Sequence, residues 1–268
     1  MIKKKTSIEI FKKFNKLRLK NCKNIYITSN LIKFSKIRIH KEDKLKIILN
    51  NLKKIMGKNY TIFAPSSTLN LCNTNLVFDL INTPSYKMGP LSEYIRKQNA
   101  TRSLHPYWSV IGIGKNKNLL NNVSKHAYGF NSPWSYMRDF DFTQVNIGMH
   151  PSKAVTMIHH VETMVGVPYR YTKEFKHKIK IKNRIYTDNF YLSVLYKSTP
   201  IIKKKKLNEH FFAKLQEQGK LNYAKTSFGL EMWSFKMKDF FDVATKMLTQ
   251  DIYCYLEKKP NLKSVHKN

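Results

Sequence analysis

Two runs of β-branched and aromatic residues, NIYIT (24–28) and YTIFAP (60–65), flank the segment KEDKLKIILNNLKKI, whose Leu45, Ile48, Leu49, Leu52 and Ile55 fall on one helical face. A buried strand, an amphipathic helix and a second buried strand in close succession require a sheet with a helix layered against it. The same alternation continues. SNLIKFSK after the first strand offers Ser29 or Asn30 as the cap of a turn or short helix, and LSEYIRKQ (91–98) reads as a short helix. WSVIGIG (108–114) and TQVNIGM (143–149) read as strands. NSPWSYMRDF starts a helix with Pro133 in its first turn, and Ala154 to Val165 forms another. The first twenty residues suit a basic amphipathic helix carrying Ile8, Phe11, Phe14 and Leu17. Residues 171–206 hold a basic, strand-like excursion, and KDFFDVATKMLTQDIYCYLEKK gives a C-terminal helical run. Neither internal repeats nor a domain boundary are visible, so a single domain over 1–268 is expected, with Ile201–Lys206 as an exposed connection. Ser66 to Gly89, rich in Ser, Thr, Asn and Pro, reads as a loop long enough to carry function.

Composition excludes several classes. At 42% apolar and 13% aromatic residues the chain can bury a core and is not disordered. No run of eighteen apolar residues could span a membrane, and the basic start lacks the apolar centre of a secretory signal. The three cysteines, Cys22, Cys72 and Cys254, form no CxxC spacing, which points to a reducing, cytoplasmic setting and no zinc knuckle. The net charge of +32 is uneven: residues 1–60 carry 18 Lys/Arg against 3 Asp/Glu, and residues 85–170 carry 10 against 4. Much of it is Lys accompanied by Asn and Ile, the mark of a compositional bias on solvated faces, with part of it available to bind anions. A basic nucleic-acid-binding protein is the rival reading, but it needs aromatics interleaved with cations on one face. Phe11, Phe14 and Tyr26 sit instead at apolar positions, and no nucleic-acid partner is expected.

The least basic stretch is also the richest in Gly, Pro, Ser and His, and contains TMIHHVETMVGVPYR (156–170). On a helix His159 and Glu162 share a face and His160 points elsewhere. Such a pair can ligate zinc, act as a base with its orienting carboxylate, or satisfy itself at a packed surface. An H-x-x-E-H zinc site lacks its second histidine here, because residue 163 is Thr. IGIGKNK is neither a GxGxxG nor a Walker A loop, and neither GxSxG nor HExxH occurs.

The block FDLINTPSYKMGPLSEYIRKQNATRSLHPYWSVIGIG (78–114) closely resembles the hallmark of the aminoglycoside 3-N-acetyltransferase family. The matching positions are Phe78, Asp79, Thr83, Pro84, Ser85, Met88, Gly89, Leu91, Glu93 and Arg96, then Arg102, Ser103, His105, Pro106, Ser109 and Val110. YGFNSPW, TMIHHVE and IYITSNLIKFS match further motifs in order, so the resemblance covers about residues 24–175, leaving 176–268 as a variable part. It implies an α/β fold with a layered mixed β-sheet flanked by helices, not the GNAT fold. It further implies transfer of an acetyl group from acetyl-coenzyme A, without a metal, to an amine of an amino sugar.

By the same resemblance His159 is the general base, Glu162 its orienting partner, and Asp188 in YTDNF a further catalytic carboxylate. Ser29, Asn30 and Leu31, together with Arg102, Ser103, Leu104 and His105, would contact coenzyme A, with Ser109 and Val110 extending that wall. Thr156, or a backbone amide near Ser29 or Ser103, would donate to the reacting carbonyl oxygen. No cysteine lies near these motifs, so direct transfer is expected rather than an acyl-enzyme. Asp79 and Glu93 are the matched acids expected to meet the acceptor. Two departures stand out: Thr28-Ser29-Asn30-Leu31 replaces His-Ser-Ser-Leu, and Pro65-Ser66-Ser67-Thr68 replaces Pro-Thr-Phe-Thr. Aminoglycosides are polycations, so the basic chain points to an anionic acceptor, such as a nucleotide-linked amino sugar for a surface polysaccharide. An antibiotic-resistance enzyme proper and a coenzyme A binder without catalysis are the alternatives, and a homodimer is compatible with each.

Overall fold

The computed structural model describes residues 2–197, 199 and 204–261. The chain opens with α1 (Ile2–Lys16), β1 (Asn24–Ser29), the single turn α2 (Ile32–Ser35), α3 (Lys41–Met56) and β2 (Thr61–Pro65). It continues through β3 (Phe78–Asp79), α4 (Pro90–Arg96), β4 (Thr101–Arg102), β5 (Val110–Gly114), α5 (Pro133–Asp139), β6 (Thr143–Ile147) and α6 (Met157–Val165). Then come β7 (Arg170–Ile181), β8 (Arg184–Leu195), α7 (Lys204–Glu217), β9 (Asn222–Lys225), β10 (Glu231–Lys236) and α8 (Met237–Gln250). A mixed seven-stranded sheet runs in the order β4-β5-β2-β1-β6-β10-β9, and a three-stranded sheet runs β3-β7-β8.

β1 is central and pairs in parallel with β2 on one side and β6 on the other. A strand covered on both faces must be apolar on both, which is why NIYIT shows no polar alternation. Its residues divide between two cores. Ile25 and Ile27 join Phe14, Leu49, Leu52 and Ile95 of the helices α1, α3 and α4 on one face. Tyr26 joins Trp134, Met137, Ile158 and Phe240 of α5, α6 and α8 on the other. Phe63 follows Tyr26, while Ile62 and Ala64 follow Ile25. This is the layered sheet flanked by helices that the sequence implies.

Polar side chains inside β6 are matched rather than exposed. Buried Asn146 Nδ2 donates to Thr28 Oγ1 at 2.7 Å, and Gln144 Nε2 donates to the Ala154 carbonyl at 2.9 Å. The second bond ties the approach to α6 onto the sheet.

Several expectations change. The N-terminal helix ends at Lys16, because Arg18 and Asn21 take left-handed backbone conformations that turn the chain toward β1. The C-terminal helix stops at Gln250. Asp251 leaves helical geometry and accepts from the Tyr253 N–H through its carboxylate, so residues 251–256 pack as turns. The stretch Ser66 to Gly89 is not wholly irregular: Leu69–Leu71 forms a 3-10 turn, and β3 pairs in parallel with β7. The basic excursion is a hairpin of two twelve-residue strands whose His177, Ile179 and Phe190 are buried. Of the Ile201–Lys206 run, 201–203 lie outside the described residues and the backbone from Lys204 onward belongs to α7. Residues 222–250, in which no motif was found, complete the main sheet with β9 and β10 and cover it with α8. No helix among the described residues is long and apolar enough to cross a membrane.

Gly148 ends β6 at φ +75°, and its amide donates to the Glu231 carbonyl at 2.7 Å. A Cβ there would collide with the Asn30 carbonyl, which lies in the turn after β1. Gly148→Ala is therefore expected to cost about 2–4 kcal/mol of stability, from a strained φ plus a backbone clash. Urea denaturation of the variant beside the wild type measures it.

Candidate active site

The helices that follow β1 and β6 leave on opposite faces of the sheet: α3 packs in the first core and α6 in the second. Divergence of this kind opens a crevice at the carboxyl ends of the two strands. Here it is a cavity of about 760 Å³ with Tyr26 and Trp134 among its lining residues. Its lining includes Thr28, Ser29, Asn30 and Leu31 after β1, together with Trp108, Ser109, Val110, Ala154 and Thr156. The N-cap of α2 is Leu31 rather than Ser29 or Asn30, although Asn30 Oδ1 accepts from the Ile32 N–H and so shapes the turn into the helix. Four cations also line the cavity: Lys41 and Lys44 of α3, Lys87, and Lys153 before α6. The motif reading missed all four, because one lysine among so many carries no signal by itself.

A second cavity of about 420 Å³ shares Trp108, Lys153, Ala154 and Thr156 with the first. Its own wall includes Ser152, Ile158, His159, Asn208 and Tyr255. Thr156 is the residue before α6, and its side chain does not cap that helix. Asn208 and Tyr255 come from the C-terminal part, to which sequence reading assigned no role. Asn208 is anchored by Nδ2 donating to the Ser152 carbonyl at 2.7 Å.

His159 and Glu162 lie on one face of α6, as their spacing requires. His159 Nδ1 is 2.8 Å from Glu162 Oε2; the imidazole is 18% exposed and the carboxylate fully buried. The helix ends at Gly166 in the left-handed conformation, whose amide bonds the Glu162 carbonyl, and Pro168 prevents its continuation. The chain thus turns back, and Arg170 at the start of β7 places Nε 2.8 Å from the same Glu162 oxygen. Burial raises the Glu162 pKa, but the His159 hydrogen bond and the charges of His159 and Arg170 outweigh it, so the carboxyl stays below its ordinary range. Sequence reading missed Arg170, although its place just beyond a helix stop was a usable sign. No group of three His, Cys, Asp or Glu among the described residues could hold a metal ion, so the zinc alternative finds no further ligands.

Other residues expected at the site lie elsewhere. Asp188 is ion-paired with Lys125 at 2.6 Å and lines neither cavity. Arg102 is buried with its donors directed to Ser109 Oγ and the carbonyls of Thr83 and Ser66, over the Phe78 ring; burial lowers its pKa to about 9. It fastens loops together rather than facing a phosphate. Ser103 Oγ accepts from the Val110 N–H and its amide donates to the Val110 carbonyl, so that amide is committed within the sheet. Leu104 packs in the small core beneath the hairpin. Buried His105 accepts from the amides of Tyr107 and Trp108 at Nδ1. Asp79 also serves structure: burial raises its pKa, but hydrogen bonds from Asn82 and Ile81 and from Lys180 hold it at about 2. Glu93 accepts from Arg96 and from the Ser85 amide. Neither acid is among the described lining residues of the two cavities. His160 is a packing residue, accepting from the Gly129 N–H and set against Phe241.

A family model for aminoglycoside 3-N-acetyltransferase matches residues 32–249. No curated protein matches the chain by sequence. Among solved structures, YokD from Bacillus subtilis is similar at 16% identity, with 92% of this chain and 94% of that one covered and a TM-score of 0.74. AAC-VIa bound to sisomicin is similar at 15% identity, covering 91% and 97%, with a TM-score of 0.76. AAC-IIIb in a binary structure with CoASH is similar at 14% identity, covering 95% and 98%, with a TM-score of 0.76. At these identities the likeness is one of fold.

His105 and His160 yield a stability prediction. Burial pushes each from an ordinary 6.5 down to about 4, so both fold neutral. Their contribution is fully present above pH 6.5 and is lost as pH falls toward 4, at up to about 1.4 kcal/mol per pH unit for each histidine. His160→Asn, which keeps an acceptor for the Gly129 amide, is expected to flatten the loss between pH 6.5 and 4. Denaturation midpoints across that range read the difference.

Proposed function

Given that the chain belongs to the aminoglycoside 3-N-acetyltransferase family and is an acetyl-coenzyme A-dependent N-acetyltransferase, we propose that His159 is its general base and an anionic amino sugar its acceptor. The observation that carries this reading is His159, paired with buried Glu162, in the wall of a cavity that adjoins a larger one across Trp108, Lys153, Ala154 and Thr156.

The larger cavity suits acetyl-coenzyme A, which supplies the acetyl group as a thioester. Lys41, Lys44, Lys87 and Lys153 are the cations able to meet its phosphates, and Tyr26, Trp108 and Val110 give apolar surface for its arm. The smaller cavity has room for one sugar ring with its substituents.

An amine near neutral pH is mostly protonated and cannot attack until it loses a proton. With Nδ1–H donated to Glu162, the basic lone pair of His159 is on Nε2, and that atom takes the proton from the acceptor amine. Buried Glu162 then balances the imidazolium charge. Thr156, in the wall shared by both cavities, supplies the hydroxyl able to donate to the carbonyl oxygen as negative charge develops there.

The acceptor assignment rests on charge. No carboxylate is among the described lining residues of the smaller cavity, and Lys153 is. AAC-VIa, similar in fold, binds sisomicin. A polycation of that class would meet Lys153 and a chain of net charge +32 here.

His159→Ala is expected to lower kcat/KM by about 10²–10⁴. Coenzyme A affinity, followed through the fluorescence of Trp108 and Trp134 in the larger cavity, should be unchanged. Nucleotide-linked amino sugars should show the higher kcat/KM in thiol-release assays run beside kanamycin-class substrates. A higher value for the latter overturns the anionic assignment, and a fully active His159→Ala overturns the base.

A further inference from the structure

Among the described residues, two groups approach His159 Nδ1. Glu162 Oε2 lies 2.8 Å away and Arg170 Nη2 lies 3.1 Å away, each in hydrogen-bonding geometry. One nitrogen cannot donate to the first and accept from the second at the same time. With the proton on Nδ1, Glu162 receives it and Nε2 is basic. With Nδ1 bare, Arg170 donates to it, the proton sits on Nε2, and the ring cannot act as a base there.

Arg170 is firmly held in this place. Its side chain is 8% exposed, Nε lies 2.8 Å from Glu162 Oε2, and Nη1 donates to the Ser193 carbonyl across the hairpin at 3.2 Å. The other polar groups around the imidazole come from separate elements. Tyr128, ahead of α5, sets its ring edge-on at 5.6 Å, and Lys153 and Tyr255 share the cavity wall with His159. Among these described groups Glu162 is the anion that favours imidazolium, while Arg170, in direct contact, and Lys153 are cations.

We propose that Arg170 is a positioning residue that keeps His159 neutral near neutral pH, so that its tautomer with Nδ1–H directed to Glu162 is available as a base. A buried carboxylate next to a histidine draws a proton onto the ring, and a base already protonated takes nothing from the amine. A guanidinium is charged at every relevant pH. Set against both partners, it offsets the carboxylate field at the imidazole while the Glu162 oxygen still orients Nδ1. This rests on the reading of His159 as the base for its consequence in catalysis, but not for its effect on the ring.

The test is the titration of His159 followed by two-bond ¹H–¹⁵N correlation on ¹⁵N-histidine-labelled protein. The His159 signal is assigned by its absence from His159→Gln. Arg170→Gln should raise the His159 midpoint by about one pH unit or more, and Arg170→Lys should restore most of the shift. The acid limb of kcat/KM should move up with the midpoint. An unmoved midpoint in Arg170→Gln, with activity lower by the same factor at every pH, overturns the proposal and leaves Arg170 a packing role. Glu162→Gln is the second variant, needed if Arg170→Gln does not fold. With the cation unopposed its His159 midpoint should fall below that of the wild type, and an unchanged or higher midpoint overturns the proposal. A midpoint that shifts as expected while the acid limb does not follow it refutes His159 as the base and leaves the assignment of Arg170 standing.

Discussion

Glu162 is a fully buried carboxylate, and the site is organised around keeping it charged. Removing such a group from water costs several kcal/mol unless donors replace the lost hydration. Two cationic or proton-bearing partners meet the same oxygen, His159 from the preceding helical turn and Arg170 from the returning strand. Each demands something of the chain. The helix must start near Thr156, stop at Gly166 and turn within a few residues, or Arg170 would not come back. The hairpin must then be anchored at Ser193 for the guanidinium to stay in place. One buried charge thereby couples the helix, its C-terminal stop and the second sheet.

The block from Phe78 to Val110 works differently. Three of its charged residues direct their hydrogen-bonding capacity to neighbouring loops: Arg102 to Ser109 and two carbonyls, Glu93 to Arg96 and an amide, Asp79 to its own turn. Long loops leave many backbone groups without ladder partners, and buried polar groups left unpaired cost about 1–3 kcal/mol each. A loop that must form the rigid wall of a cavity therefore needs such clamps. Ser109 and Val110 line the larger cavity because Arg102 and Ser103 hold them there, so the residues best marked in sequence support the site from behind.

This explains what the sequence disclosed. NIYIT and YTIFAP were legible because strands buried on both faces must be apolar throughout, and the helix between them because one face alone is buried. The His159–Glu162 pair was legible because helical spacing brings it together with no help from the rest of the fold. Arg170, Asn208 and Tyr255 were not, since they reach the site through a helix stop, a hairpin and a C-terminal turn, which no local periodicity encodes. β9 and β10 escaped notice for a related reason. Their partners are β6 and each other, and a short edge ladder leaves a weak pattern in NYAK and EMWSFK. The pairing of Asp188 with Lys125 was not legible either, because a carboxylate in a given stretch of sequence carries no record of its partner.

The charge divides in the same way between local and assembled meaning. In residues 1–60 the three acids are engaged: Glu9 accepts from Ser227, Glu42 pairs with Lys46 and Asp43 with Lys3. Most of the surrounding lysines are exposed, where a single charge changes stability little and salt screens its field within about 8 Å at physiological ionic strength. Lys41 and Lys44 differ from these by position, in the first turn of α3 where it borders the larger cavity, which Lys87 and Lys153 also line. A cavity wall of low dielectric with four cations around it concentrates an anion far more than the same charges spread over a convex surface. The surplus is therefore mostly a property of composition, and it acquires chemical direction where the divergence of α3 and α6 opens the sheet.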